Sequence, residues 1–271
     1  MGVKKYVATA DNTITNAFKF NLTTRGTGSN MGAADILEVF HIYAQANSSS
    51  SENERVIIQF PISDITTNRT DGTIPASGSV DFYLRLYNAK HSQTVPRDFD
   101  LTISAISGSQ DGSPAAAAWE EGTGLDMEGY TDLTYDEKGS DWIMRHGSTP
   151  WLVAGGDYYT DASSSFTASF VSGIEDLEVN ITPLVEQWIN SAGNVLGSKD
   201  NNGVLIKLRN SDEDAVTSYY TKKFFSRTSE FFLKRPVIEA RWDSTKRDDR
   251  GNLHFSSSVA PAADNLNTLY L

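Results

Sequence analysis

An all-β fold, an antiparallel β-sandwich of jelly-roll type, is what this sequence predicts, and three observations carry the prediction. Several segments alternate apolar and polar residues with a period of two, the repeat that lays one face of a strand on a core. The stretch Asn201-Asn202-Gly203-Val204-Leu205-Ile206-Lys207-Leu208 sets a glycine suited to positive φ before a β-branched run, and two more such runs follow it. Clusters of Ser, Gly, Asn, Asp and Pro separate these segments, and few long stretches show the 3.6-residue period of helices.

In chain order, the alternating segments are Asp35 to Tyr43, Arg55 to Phe60, Val80 to Tyr87, Asp98 to Ile106 and Ser165 to Val171. The late strands follow at Val204 to Leu208, Phe224 to Arg227 and Arg235 to Trp242. Loops are expected at Ala46 to Asn53 and Asn68 to Gly78. One short helix is expected around 182–190. Thr182 is its N-cap, Pro183 fills the first helical position, and Leu184, Val185, Trp188 and Ile189 form one stripe, with Trp188 buried. Around 119–156 the alternation stops, and a long acidic, aromatic, glycine-punctuated loop is expected either to carry function or to cover the sandwich. The domain reading is a single sandwich over 1–243 and a C-terminal extension over 244–271 that docks on a neighbour or is mobile.

Composition narrows the function classes. The 271 residues include 35 acidic and 23 basic side chains, and the net charge of −12 argues against a nucleic-acid partner, whose phosphates need Lys and Arg. Cysteine is absent, which excludes disulfides and thiolate metal sites. No stretch approaches the ~20 apolar residues of a membrane span, so no membrane association is expected. Met1 to Tyr6 leads into polar Thr9, Asp11, Asn12 and Thr13 rather than an apolar run, so the expectation is synthesis in the host cytoplasm without a signal peptide.

A series of short patterns, taken in order, resembles the DNRLRE-type domain, a jelly-roll sandwich family similar to carbohydrate-binding modules. They are Ala10-Asp11-Asn12-Thr13-Ile14, Asn30-Met31-Gly32, Arg55 to Phe60, Leu84-Arg85-Leu86-Tyr87, Trp119-Glu120-Glu121-Gly122, and Val179 to Thr182 with Val185 and Trp188. Asn202 to Lys207, Phe224 to Arg227 and Arg235 to Trp242 complete them. The resemblance spans residues 6 to 243 and implies structural roles for Arg55, Trp188, Asn202, Gly203, Arg227 and Arg235. It suggests that Arg227 is partly buried against a carboxylate, with Glu230 or Glu239 as the partner. The family pattern usually continues Ser-Arg-Glu, whereas this chain has Ser226-Arg227-Thr228-Ser229-Glu230.

No catalytic constellation is visible. The four histidines, His41, His91, His146 and His254, have no metal-ligand spacing, and no nucleophile elbow or phosphate loop occurs. Glu120 and Glu121 are adjacent, so on an extended segment they point to opposite faces and do not flank one glycosidic bond. No cofactor is expected unless it is a structural calcium, for which Asp126, Glu128, Asp132, Asp136 and Asp141 supply oxygens. Glycan binding would use Trp119, Trp142, Trp151, Tyr130 and Tyr158 as ring faces, and the competing reading has the same rings roofing the core.

The resulting expectation is a non-enzymatic structural component of a bacteriophage virion, a decoration, collar or tail-fibre type of protein. Its partners would be other virion proteins and further copies of itself. The alternative is a carbohydrate-binding module or adhesin recognising host surface glycans.

Overall fold

The computed structural model describes residues 1–92, 96–107, 119–127, 139–189 and 196–245, and it is the antiparallel β-sandwich that the sequence predicts. One sheet has four strands in the order β1 (Gly2–Val7), β13 (Val237–Trp242), β5 (Asp81–Leu86), β10 (Leu177–Asn180). The other runs β12 (Tyr219–Phe225), β3 (Ile36–Tyr43), β4 (Ser51–Gln59), β11 (Val204–Leu208), β6 (Phe99–Ala105), β9 (Ser165–Phe170). A seventh strand, β2 (Ala10–Thr15), pairs with β4. A small hairpin, β7 (Met144–His146) with β8 (Thr149–Pro150), stands apart within the long loop.

The alternation read from the sequence fills the core between the sheets. Phe82, Leu84 and Leu86 of β5 face Leu101 and Ile103 of β6 and Val204, Ile206 and Leu208 of β11, all in one buried cluster. Each such side chain contributes roughly 1.5–3 kcal/mol through burial. The late strands are consecutive in sequence but scattered in space: β11 lies inside the larger sheet, β12 at its edge and β13 in the opposite sheet. Phe225 ends β12, so Ser226 and Arg227 lie beyond the strand that was expected to include them.

The Asn-Asn-Gly motif is not a hairpin turn. It leads the chain into β11, where Gly203 adopts φ of 87° and a Cβ would collide with the Ile58 carbonyl of β4. Asn201 accepts from the Gly203 N–H at 3.2 Å and donates to the Phe60 carbonyl at 2.8 Å, fixing this approach.

Helices close one end. The expected helix is present as α2 (Thr182–Ile189), with Leu184, Val185 and Trp188 buried in the core, but its start differs from the prediction. The Ile181 carbonyl accepts the first helical bond, from Val185 at 3.1 Å, and the Thr182 hydroxyl accepts from the Phe82 N–H of β5 at 2.8 Å. Thr182 therefore ties the helix to the sheet instead of capping it. A further helix, α1 (Ile62–Thr70), occupies a stretch that runs into an expected loop. Only Ile62 and Ile65 are buried on it, and Thr66, Thr67, Asn68 and Thr70 each donate back to a carbonyl four residues earlier. Arg69 of α1 makes a two-pronged pair with Glu186 of α2 at 2.6 and 2.7 Å, joining the helices. One more short helix, α3 (Asn210–Glu213), follows β11.

The exposed face of the smaller sheet is charged. Glu239 of β13 meets Lys5 of β1 at 3.1 Å and Arg241 at 2.6 Å, and Arg241 reaches Glu178 of β10 at 2.9 Å. Of the C-terminal extension, residues 246–271 lie outside the described residues.

Candidate functional site

Fragments that are far apart in sequence meet in one polar network. Arg227 donates to both oxygens of Glu121, at 3.0 and 2.7 Å, and Glu121 also accepts from the Asp11 N–H at 2.8 Å. This corrects the expected partners of Arg227. Glu239 is committed to Lys5 and Arg241 on the other sheet, and Glu121 reaches Arg227 from the long loop. Both members of the Arg227–Glu121 pair keep partial exposure, so the pair contributes on the order of 1 kcal/mol. Glu120 is exposed, consistent with adjacent acids pointing apart on an extended segment.

Asn12 and Asn30 continue the network inward. Asn12 donates to the Ser140 carbonyl at 2.7 Å and accepts from the Met31 N–H at 2.8 Å. Asn30 donates to the carbonyls of Glu121 and Ser140, each at 2.8 Å, and accepts from the N–H groups of Gly32 and Gly124 at 3.2 Å. Gly122, Gly124 and Gly139 press on Asn30 so closely that a Cβ on any of them would collide with it. The glycines that punctuate the long loop thus allow the backbone to close around one asparagine.

Asp11 accepts the Arg227 N–H at 2.5 Å. Burial, reinforced by the charge of Glu121, pushes its carboxyl up to about 7 despite the Arg227 bond. Because this folded value lies above the unfolded 3.8, ionised Asp11 opposes folding, and its penalty grows as pH rises from about 4 to about 7. Asp11→Asn removes that dependence and keeps an acceptor for Arg227. The melting temperature of the variant relative to the parent should therefore rise between pH 5 and pH 8, by the equivalent of roughly 2 kcal/mol. A constant difference across that range would show that Asp11 does not titrate there.

The aromatic loop is a roof. Trp142 and Trp151 are buried in a second apolar cluster with Ile14, Ile57 and Leu205, on the face of the larger sheet away from the main core, and Trp119 and Tyr158 pack against it. Trp119 donates its indole N–H to the Asn202 carbonyl at 2.8 Å, and Trp151 donates to the Asp141 carbonyl at 2.9 Å. A stacking platform for sugar needs open ring faces, and those of Trp142 and Trp151 are covered. Tyr130 lies outside the described residues.

Beneath the roof, Arg55 grips Glu213 with two bonds at 2.9 and 2.7 Å, and Lys207 reaches the same carboxylate at 2.6 Å. Arg55 also donates to the Gly155 carbonyl at 2.7 Å and lies over the Trp142 ring at 4.8 Å. Burial pushes the Lys207 ammonium below its usual value. No spacing in the sequence pointed to Glu213 or Lys207; their pairing depends on α3 folding back under the loop.

Of the residues expected to hold calcium, Asp126 and Asp141 are described, and Glu128, Asp132 and Asp136 lie outside the described residues. Asp141 accepts from the N–H groups of Ile143 and Met144 at 2.6 Å, and Asp126 from that of Met127 at 2.7 Å. Among the described residues, no three acids or histidines converge as a metal site. His41 is a structural residue, buried between Asn53 at 2.7 Å and the Ala215 carbonyl at 2.9 Å. Trp188 is buried in the core, Gly203 makes its close approach to β4, and Arg235 donates to the Ser229 carbonyl at 3.0 Å.

The surface offers a different feature. Phe231, Phe232 and Leu233 are consecutive, sit on a 3-10 turn between β12 and β13, and are 51, 68 and 74% exposed. The turn is held in place: the Phe231 ring meets Phe225 edge-on at 5.3 Å, and Lys234 lies over both rings at 5.0 and 5.7 Å. Compared with known proteins, the chain matches no family model and no curated sequence.

Proposed function

We propose that this chain is a non-enzymatic structural component of a bacteriophage virion, of decoration, collar or tail-fibre type, acting through contacts with further copies of itself and with neighbouring virion proteins. The observation that carries this reading is the exposed Phe231-Phe232-Leu233 turn, which presents apolar side chains from a rigid base. A second copy suits it electrostatically, because the chain carries a net charge of −12 and Lys234 and Arg235 flank the turn. Further support comes from how the polar side chains are used. Arg227 with Glu121, Arg55 with Glu213, Arg69 with Glu186 and the Trp119 and Trp151 indoles are engaged in the network, the roof and the helix pairing described above.

Light scattering at micromolar concentration tests the contact surface. The parent should be an oligomer and Phe232→Asp a monomer with an unchanged melting temperature, since exposed positions tolerate substitution within about 0.5 kcal/mol. Mass spectrometry of purified particles should recover the chain. A monomeric parent absent from particles would overturn the proposal, and saturable binding on a glycan array by that monomer would favour the adhesin instead.

A further inference from the structure

Between the larger sheet and the start of the long loop, two cavities of about 240 and 320 Å³ adjoin and share Met31, Glu38, Glu54 and Asp126. Strand register explains how they form. Glu38 and Phe40 alternate onto one face of β3, and Phe40 stands directly opposite Glu54 of β4. The Tyr220 ring lies 5.7 Å from that of Phe40, and Met127 packs against Phe40 from the loop side. The larger cavity therefore has aromatic and thioether walls with carboxylates set among them. Tyr220, 52% exposed, stands at its opening.

The carboxylates are not equivalent. Glu38 accepts from the Thr221 hydroxyl and pairs with Lys223 at 3.0 Å. Glu54 is only 5% exposed, lines both cavities, and has no hydrogen-bond or ion-pair partner among the described residues. The Thr13 hydroxyl, on the wall of the smaller cavity, is also buried without a partner among them. The Glu54 carboxylate and the buried Thr13 hydroxyl thus both line the cavity without a partner among the described residues, where a bound group could supply one. Lys223 is taken by Glu38, which leaves the Glu54 carboxylate facing the cavity, and the group that suits a carboxylate is a cation. No three of the described acids converge as a metal site, and the larger cavity is walled in part by the Phe40 and Tyr220 rings and the Met31 and Met127 thioethers.

We propose that this cavity binds an alkylammonium group, its charge set against Glu54 and its methylenes against Phe40, Met127 and Tyr220. The aromatic pair supplies the ring faces that attract organic cations. The source is a free amine or a lysine side chain from a partner. Without the cation, burial and the charges of Glu38 and Asp126 raise the Glu54 carboxyl well above its ordinary value, against the opposing pull of Lys223. Binding therefore displaces a proton from Glu54, and affinity increases as pH rises. Among the described residues, the other titratable groups on these walls are Asp35 just before β3, Glu38 on β3, Tyr220 and Lys223 on β12, and Asp126 in the loop.

Calorimetric titration with n-butylammonium, in two buffers of different ionisation heat, tests this. Saturable binding with proton release, at least ten-fold tighter at pH 8 than at pH 5, is expected. Glu54→Gln should weaken it ten-fold or more without lowering the melting temperature, and Tyr220→Leu, at an exposed position, should weaken it while leaving the fold intact. Binding of N-acetyl-lysine methylamide as well would point to a partner's lysine as the source, whereas binding of butylammonium alone would point to a free amine. Failure of butylammonium to bind, equal binding by n-butanol, or unchanged binding in Glu54→Gln would overturn the proposal. None of these readouts depends on the oligomer formed through Phe232.

Discussion

Glu213→Ala should lower the melting temperature by roughly 10 °C, the equivalent of about 3–5 kcal/mol, because it strands two buried cations at once. Arg55 and Lys207 both bond the Glu213 carboxylate, and the Lys207 side chain is 2% exposed. Without the carboxylate, neither cation regains water. Lys207, already pushed down by burial, is the group able to give up its charge, so the variant should recover part of its deficit as pH rises. Glu213→Gln should be milder, since the amide oxygen can still accept from one cation. Thermal and urea unfolding of both variants from pH 6 to pH 9 provides the measurement. A loss under about 1 kcal/mol would mean that water reaches Lys207 and that the roof does not seal this region.

Trp142→Ala is the second large effect, with an expected loss of about 3–5 kcal/mol. The indole fills the cluster formed with Ile14, Ile57, Trp151 and Leu205, and Arg55 lies against its face. Gly155 packs on the ring so tightly that a Cβ there would meet it 2.7 Å away. Truncation leaves a cavity that neighbours bonded to the Trp142 backbone do not collapse to fill, since Gly155 and Thr27 are held to it at 2.7 and 3.1 Å. Trp142→Phe should recover about half of the loss. Denaturant unfolding decides the matter. An alanine variant that melts like the parent and loses glycan binding would return Trp142 to the role of a ligand platform.

The sequence signals that succeeded share one property, a one-sided pattern within a single segment. Strands β5 and β6 alternate cleanly and bury their inward residues, β11 is a short apolar run buried on both faces, and α2 carries a continuous apolar stripe. In β1, Lys4 and Lys5 precede Tyr6, the strand's one buried residue, which suits an edge strand but leaves no alternation to read. Helix α1 is built from Thr and Asn with only two buried isoleucines, so it resembles loop in composition. The tryptophans were legible as a cover for the sandwich, but the partner of Arg227 was not. Glu121 lies 106 residues away, brought back by the fold of the long loop. The burial of Glu54 was equally hidden, because a carboxylate on a strand reads as solvent-facing until β3 is seen to pair beside it.

The setting of Asn30 bears on the order in which the molecule assembles. Its bonds to the Glu121 carbonyl, the Gly124 N–H and the Ser140 carbonyl span 91, 94 and 110 residues. Closing loops of that length carries an entropic penalty that a single asparagine does not offset. The expected order therefore has the two sheets bring Asn12, Asn30 and the long loop within reach before the ring of glycines closes, and slower hydrogen exchange at the sheet amides than at Gly124 would bear it out. The side chain at the centre of the roof is thus among the last to find its place, a clasp fastened after the sandwich has taken shape.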